Sequence, residues 1–344
     1  MGPEHVTTEW MAATLRGEVG AVEIERIGDG LVGMNLRVRL IDADPGLPSS
    51  VVVKLPSPDP TSRATGIQLR NYEREVRFYR DIAPTVDIRV PRCHLAEWDP
   101  TSGDFVLVLE DMAPAVPGDQ IAGCDIASAA LAVEELAKLH GPRWDDPTLH
   151  DVDWLTRRTT AEDVELLQGL WAAVLPGFSA TFDSYLSSDA RRLLDAFGER
   201  LGPWLDGRSE PFAVTHGDYR LDNLLFGAGA DAPPVTAVDW QTPGHGPPVS
   251  DLSYFLGAGP LPGERRAHEH ELVGRYADAL GGLGVDVDRA WLWQEYRREA
   301  FAGVVMAVIA SQIVGTNDRS EAMFAAMATR HLQHAGDLDA LDLI

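Results

Sequence analysis

The sequence is poor in cysteine, in basic residues and in long apolar runs, and each shortage excludes a class of protein. Only Cys93 and Cys124 are present. Neither a disulfide framework nor a multi-cysteine metal site can therefore be built, and a reducing compartment fits. Lys and Arg number 29 against 53 Asp and Glu, which gives a formal charge of -24. Such an acidic chain is a poor partner for nucleic acid or for an anionic membrane.

The sequence also gives no indication of membrane insertion or secretion. The most apolar stretch, from Ala300 to Ala310, is too short to span a bilayer. It is expected to form a buried helix. The N-terminal residues lack a basic segment followed by an apolar run, so no secretory signal is apparent. We expect a cytoplasmic protein, with its oligomeric state left open.

The first third of the chain has the pattern of an antiparallel sheet with one helix. Period-two alternation in VEIERIG, LRVRLI and SVVVKL predicts three strands, the first two joined by a glycine-bearing turn. Apolar residues then recur at helical spacing from Ile67 to Ile82, before Pro84. FVLVLEDM, which begins at Phe105, predicts a further strand.

The rest of the chain is predicted to be mainly helical. Helical patterns occupy SAALAVEELAKLH, DVELLQGLWAAVL and SSDARRLLDAFGERL, and three more are expected between Arg265 and His334. Two short strands, around NLLF and PVTAVDW, interrupt them. The fold class is therefore α+β, and the change of character after Met112 predicts a domain boundary there.

A cluster of polar residues lies in THGDYRLDNLLF, next to an apolar run. Asp218 and Asn223 have the spacing of the kinase catalytic loop, in which Asp accepts the hydroxyl proton and Asn binds magnesium. The strand-like PVTAVDW ends at Asp239, immediately before a loop, and amide and carboxylate oxygens are the ligands that Mg²⁺ prefers. The competing interpretation is a set of turn and capping residues. We predict a phosphoryl-transfer site.

A lysine in a predicted strand adds to this pattern. Lys54 lies inside VVVKL, and the kinase pattern requires a strand lysine on the nucleotide phosphates and a helical glutamate beside it. Glu73 has Arg70 and Arg77 as helical neighbours, which is typical of a solvated salt bridge. Glu75 faces the apolar side of the same helix, and we predict that it pairs with Lys54. The alternative for Lys54 is an edge-strand lysine that discourages aggregation.

The order of these motifs resembles the aminoglycoside phosphotransferase and choline kinase superfamily, and EVRFY and VDWQ are similar to its ecdysteroid-kinase-like branch. The likeness runs from roughly Ile27 to Leu256. It implies a bilobal protein-kinase-like fold. Residues 1–112 would form a small N-terminal nucleotide-binding lobe with an antiparallel sheet and a helix. Residues 113–344 would form a larger, mainly helical lobe that carries the catalytic loop and the acceptor site.

The resemblance implies a role for each residue that matches a family motif. Asp218 would be the catalytic base that orients the acceptor hydroxyl. Asn223 and Asp239 would bind Mg²⁺. Lys54 would contact the phosphates of ATP, with Glu75 as its partner.

The resemblance also implies roles for residues outside this central set. Glu110, Asp111 and Met112 would form the interlobe hinge and offer backbone groups to the base of ATP. His216 would be a structural residue of the catalytic loop. Asp251 would be a buried anchor for that loop.

Two departures from the protein-kinase pattern favour a kinase of small molecules. The turn GDGLVGMN is not G-x-G-x-x-G, so Gly28, Gly30 and Gly33 either contact nucleotide or serve only a hairpin turn. Trp240 replaces the Phe that follows the metal-binding Asp in protein kinases, and no A-P-E motif follows it.

The leading hypothesis is an ATP- and Mg²⁺-dependent phosphotransferase that moves the γ-phosphoryl group to a hydroxyl of a small molecule. An antibiotic, a choline-like amine, a sugar and a sterol-like alcohol all stay open as acceptors, and so does the choice between ATP and GTP. The first alternative is a nucleotide-binding protein without catalysis. The second is a metal-dependent phosphoesterase that uses the HGD residues as ligands.

Overall fold

The structure, a computed structural model, describes residues 2–28, 32–155, 160–229, 232–314 and 317–344. The chain divides into two compact units. Unit one contains Met1–Thr85, Val90–Ala115 and Val238–Thr242, and unit two contains Val86–Arg89, Val116–Ala237 and Pro243–Ile344. The domain boundary after Met112 stays a prediction. Across the described ranges, no helix combines the length and the apolar character that crossing a membrane requires.

A five-stranded antiparallel sheet forms the centre of unit one. Its strands lie in the order β1-β2-β3-β5-β4. They are β1 (Ala21–Ile27), β2 (Gly33–Ile41), β3 (Ser50–Pro56), β4 (Cys93–Trp98) and β5 (Phe105–Glu110). The strand predictions for SVVVKL and FVLVLEDM are confirmed by β3 and β5. Val38, Val51 and Val53 are fully buried in the core, together with Met11.

The helices of unit one differ in one respect from the prediction. They are α1 (Thr8–Leu15), α2 (Pro60–Gln68), α3 (Asn71–Arg77) and the π-helix Phe78–Ile82. A single helix from Ile67 to Ile82 is therefore wrong. Ile67 belongs to α2, and the backbone of Arg70 is in the left-handed region at φ 58. That conformation ends any right-handed helix, while the apolar spacing continues across the break.

Unit two is mainly helical. Its helices are α4 (Ile126–His140), α5 (Ala161–Phe182), α6 (Ser188–Asp206), α7 (Val249–Ala258), α8 (Pro262–Gly282), α9 (Arg289–Arg298), α10 (Ala302–Ile313) and α11 (Asp318–Asp337). Four of them fall between Arg265 and His334, where three were predicted. The 3-10 turn Glu299–Phe301 divides α9 from α10. The sequence prediction missed this division, because the apolar pattern does not reveal a one-turn change of helix type.

Short strands lie between the helices of unit two. One sheet contains β6 (Val116–Pro117), β8 (Leu224–Phe226) and β9 (Val235–Ala237), and another contains β7 (Ala213–Thr215) and β10 (Gly244–Gly246). The two predicted strands are confirmed as β8 and β9. The second ends at Ala237, so Asp239 lies two residues beyond it.

Aromatic rings and apolar helix faces form the core of unit two. Phe197 of α6 stacks on Phe301 with ring centroids 4.1 Å apart. Val304, Ala307 and Val308 are buried, so the predicted buried helix is confirmed from Ala302 to Ala310, whereas Ala300 lies in the preceding 3-10 turn. Some polar groups in this core are paired, such as Nε1 of Trp204, which donates to the carbonyl of Arg298 at 3.0 Å. Among the described residues, the two ring nitrogens of His331 and Nε1 of Trp171 are buried without a hydrogen-bond partner.

Candidate active site

Lys54 is the centre of a charged cluster in unit one. It lies on β3, and its Nζ is 2.5 Å from Oε1 of Glu75 and 3.2 Å from Oδ1 of Asp239. Glu75 belongs to α3 and is fully buried, whereas 38% of the Asp239 side chain is exposed. A strand, a helix and a distant segment of the chain thus bring one ammonium and two carboxylates together.

The charges of this cluster stabilise each other. Burial alone would lower the pKa of Lys54, but Glu75 and Asp239 outweigh it, so that the pKa of the ammonium is raised. Burial raises the pKa of Glu75, against the opposite effect of Lys54. Lys54 therefore keeps its charge at neutral pH.

The competing glutamate has other partners. Glu73 pairs with Arg70 at 2.8 Å and with Arg77 at 3.3 Å. Its side chain is only 8% exposed, whereas those of Arg70 and Arg77 are 44% and 32% exposed, so the solvated part of this salt bridge is its arginine side. The segment that carries Asp239 is also fixed, because the ring of Trp240 stacks on that of Phe78 at 3.7 Å.

The predicted hinge residues lie at the end of β5, within unit one: Glu110 is its last residue, and Asp111 and Met112 follow it. The Asp111 carboxylate accepts hydrogen bonds from Nε of Arg37 at 2.7 Å and from Oγ of Ser50 at 2.7 Å. These bonds attach the end of β5 to β2 and β3. Oε2 of Glu110 accepts from a backbone amide at 2.9 Å, and the carbonyl of Met112 accepts from a backbone amide at 2.8 Å. A nucleotide contact at this segment stays a prediction.

The predicted glycine turn is only partly within the described ranges. Gly28 has φ 68, in the left-handed region that favours glycine. Gly33 begins β2. Gly30 lies outside the described residues. The choice between a nucleotide contact and a plain hairpin turn stays open.

The backbone of the catalytic-loop motif is held by a buried carboxylate in unit two. Asp251 of α7 accepts hydrogen bonds from the amides of His216 at 2.6 Å and of Gly217 at 3.0 Å. Gly217 has φ 77, so the turn into Asp218 requires a left-handed residue. Behind it, Asp251 contacts Nε2 of His140 at 3.4 Å. The expected anchor contact of Asp251 is confirmed.

Donors surround the Asp218 carboxylate. The hydroxyl of Tyr254 donates to Oδ1 at 2.7 Å, and Nδ2 of Asn223 donates to Oδ2 at 2.9 Å. Nε of Arg220 lies 3.1 Å from both oxygens. Burial, followed by the charge of Asp218, raises the pKa of Tyr254 well above its ordinary value, so its hydroxyl stays a donor.

Sequence reasoning missed Arg220 and Tyr254. Besides its contact with Asp218, Arg220 donates through Nη1 to Oδ2 of Asp222 at 2.6 Å. Burial opposes the charge of Arg220, yet Asp218 and Asp222 raise its pKa. One local signal existed, because Tyr254 follows Asp251 by three residues on a helix and therefore lies on the same face. The sequence gives no comparable signal for Arg220.

Asn223 and Asp239 have the chemistry of magnesium ligands. Asn223 donates through its Nδ2 to Asp218, and no described residue donates a hydrogen bond to its Oδ1. Asp239 offers a partly exposed carboxylate. Both are hard oxygen donors, so the residues fit Mg²⁺. Within the described ranges, no cluster of three His, Cys, Asp or Glu side chains could hold a metal.

Comparison with known proteins places these residues in a family. Residues 28–283 match the ecdysteroid kinase-like family. The chain belongs to that family. No curated protein sequence matches it significantly.

Solved structures share the fold. A choline kinase from Cryptosporidium parvum has a TM-score of 0.58 at 9% identity, over 94% of this chain and 91% of that one. A Plasmodium vivax ethanolamine kinase has a TM-score of 0.55 at 11% identity, over 93% and 83%. Aminoglycoside 2'-phosphotransferase-IIIa in its GDP complex has a TM-score of 0.56 at 14% identity, over 92% of this chain and 93% of that one. The protein-kinase-like fold of this ecdysteroid kinase-like chain is thereby confirmed.

Proposed function

We propose that the protein is a kinase that transfers the γ-phosphoryl group of ATP to a hydroxyl of a small molecule. The observation that carries this proposal is the position of Lys54, whose ammonium lies between Glu75 and Asp239. Such a lysine is the phosphate-binding element of the kinase pattern. Family membership supports the reaction class, and the GDP complex of one structural relative supports nucleotide use.

Each residue has a part in the proposed transfer. Lys54, oriented by Glu75, contacts the nucleotide phosphates. Asp218 orients the acceptor hydroxyl and accepts its proton late in the transfer, as the γ-phosphoryl group leaves ADP and bonds to the acceptor oxygen. Positioning and charge neutralisation supply most of the acceleration.

Magnesium is the proposed cofactor. Asn223 and Asp239 would hold it, and when bound it neutralises charge on the phosphate oxygens. The acceptor can be an antibiotic, a choline-like amine, a sugar or a sterol-like alcohol. The structural relatives include a choline kinase and an aminoglycoside phosphotransferase, so they do not choose among these classes.

Thermal melting with ATP, GTP and Mg²⁺ tests nucleotide binding. A ligand that binds the native state raises the melting temperature as its concentration rises. We expect a shift with Mg²⁺ and nucleotide in the wild type, and loss of its metal-dependent part in Asp239→Ala. The absence of any shift in the wild type under all metal conditions would refute the proposal.

Turnover separates a kinase from a nucleotide-binding protein without catalysis. With an acceptor found by screening hydroxyl compounds, Asp218→Asn should lower product formation by about a hundredfold or more, because a general base contributes that much. Nucleotide binding should persist. The exposed Asp189 provides the matched control, since Asp189→Asn should leave turnover unchanged. Near-normal turnover of Asp218→Asn would end the assignment of the base.

A further inference from the structure

Three donors engage the two oxygens of the Asp218 carboxylate. Tyr254 donates to Oδ1 and Asn223 donates to Oδ2. The Nε–H of Arg220 lies 3.1 Å from both oxygens and bridges them. The Asp218 side chain is 22% exposed, and a hydroxyl that is to bind between its two oxygens competes with Arg220.

Two of the three donors are fixed by the fold. Tyr254 is 5% exposed, and its ring stacks on His331 with centroids 5.3 Å apart. Asn223 is buried, and its Nδ2 also donates to the Asp218 carbonyl at 2.9 Å. Neither can leave the carboxylate without disturbing buried packing or a second hydrogen bond.

Arg220 is the donor that can leave. Its side chain is 17% exposed. Its Nη1 is held independently by Asp222 at 2.6 Å, with Sδ of Met323 3.1 Å away. Asp222 is fixed in turn by the backbone amide of Gln120 at 3.0 Å. When Nε moves off Asp218, the guanidinium charge keeps a carboxylate partner. The cost is one charge-assisted hydrogen bond and not an unpaired buried charge.

We propose that Arg220 is a gate on the base. Its Nε–H bridges the two oxygens of Asp218, and an acceptor hydroxyl takes that bridging position by displacing the Nε–H of Arg220. Arg220 remains paired with Asp222 throughout, so it is a positioning residue and not a catalytic one. This inference rests on the proposed function, because it takes Asp218 as the base. It adds a control on that site, in which an acceptor hydroxyl competes with Arg220 for the Asp218 carboxylate.

Chemical labelling of Asp218 tests the gate without nucleotide or acceptor. The purified full chain is treated at fixed pH with a water-soluble carbodiimide and glycine amide, and labelled peptides are quantified by mass spectrometry. In Arg220→Gln, labelling of Asp218 should be about tenfold faster, the factor expected when one charge-assisted hydrogen bond no longer has to open. Arg220→Lys, which keeps the charge but has no Nε–H, should fall between that variant and the wild type.

Arg319 provides the matched control. It lies in the same cluster and contacts Asp222 at 3.4 Å. Arg319→Gln should leave the labelling of Asp218 at the wild-type rate. An equal acceleration in this variant would overturn the proposal, because it would show general opening of the cluster. A wild-type rate in folded Arg220→Gln, checked by circular dichroism, would overturn it as well.

The two failures are distinguishable. Labelling requires no nucleotide, so its outcome decides the gate alone. If Arg220→Gln does not fold, Arg220→Lys decides, and a wild-type labelling rate in that variant overturns the gate. Failure of the proposed function would appear in a different measurement, as the absence of a melting shift with Mg²⁺ and ATP in the wild type.

Discussion

Asp251 and Tyr254 lie three residues apart on α7 and hold two parts of one loop. Asp251 accepts from the backbone amides of His216 and Gly217, and Tyr254 donates to the side chain of Asp218. Since residues at this spacing share a helix face, the backbone and the proposed base are positioned by a single element. The orientation of Asp218 is therefore set by α7 as well as by the loop.

Removing the Tyr254 hydroxyl should impair turnover more than stability. Tyr254→Phe takes one donor from Asp218, so we expect kcat to fall about tenfold, equivalent to about 1.4 kcal/mol of transition-state stabilisation. Unfolding free energy should fall by about 1 kcal/mol, as for one buried hydrogen bond. Initial-rate kinetics and denaturant unfolding measure the two effects.

Tyr296 is the control for that variant. It is also buried, and its hydroxyl donates to Oε2 of Glu269 at 3.2 Å and not to Asp218. Tyr296→Phe should lose similar stability and keep the wild-type kcat. If both variants lose turnover alike, the effect of Tyr254 is structural and the positioning role is wrong.

Removing Lys54 should expose the cost of a buried carboxylate. Lys54→Met leaves Glu75 buried without its partner, and we expect a loss of about 3–5 kcal/mol in unfolding free energy. Replacing Glu75 by leucine in the same chain should recover part of that loss. Arg192→Ala, which breaks an exposed pair with Asp189, should change stability by less than about 0.5 kcal/mol. If the losses of unfolding free energy from Lys54→Met and from Glu75→Leu simply add in the double variant, the pairing of Lys54 with Glu75 is contradicted.

Acid should destabilise the protein through His331. Burial lowers the pKa of His331 to about 3, from the ordinary value of 6.5. As pH falls below 6.5, the unfolded chain takes up the proton first, so stability is lost from about pH 6.5 toward pH 3. The slope for one histidine is at most about 1.4 kcal/mol per pH unit.

Denaturant unfolding at several pH values between 7 and 5 measures this slope. His331→Phe should reduce this slope by the contribution of one proton, at most about 1.4 kcal/mol per pH unit. The exposed His150 is the control, and His150→Gln should leave the slope unchanged. An unaltered slope in His331→Phe would show that the acid sensitivity arises elsewhere.

Two glycine-to-alanine substitutions should have opposite signs. A Cβ at Gly303 of α10 would meet the ring of His331 well inside van der Waals contact, whereas at Gly169 of α5 nothing lies within 4 Å. Overpacking should make Gly303→Ala destabilising by about 1–3 kcal/mol. Gly169→Ala should stabilise by about 0.5–1 kcal/mol through helix propensity. Melting temperatures that move in the same direction would contradict the packing at His331.

The sequence predicts those features of this protein that depend on spacing along the chain. The strands around Lys54 and the relation of Asp218 to Asn223 are local patterns. The contact of Arg220 with Asp218 is not predicted, because an arginine beside a motif is usually solvated. The helix break at Arg70 is not predicted from the sequence for another reason. The apolar spacing of α2 continues into α3, although the backbone leaves the helical conformation between them.

The pairing of Lys54 shows where sequence reasoning succeeds for a physical reason. Glu75 lies on the apolar face of α3 and Glu73 lies beside two arginines, so their helical neighbours separate their roles before any tertiary contact is known. The attachment of Asp111 to Arg37 and Ser50 joins positions far apart in sequence, and nothing local reveals it.

The ring of His331 occupies space that two other helices leave open. Gly257 of α7 and Gly303 of α10 face it, and a Cβ at Gly257 would lie 2.6 Å from its Nδ1. A larger side chain at position 257 or 303 is therefore accommodated best when the side chain at position 331 becomes smaller. Among relatives of this chain, residues 257, 303 and 331 should vary together, with side chains replacing the glycines where the ring at 331 is lost.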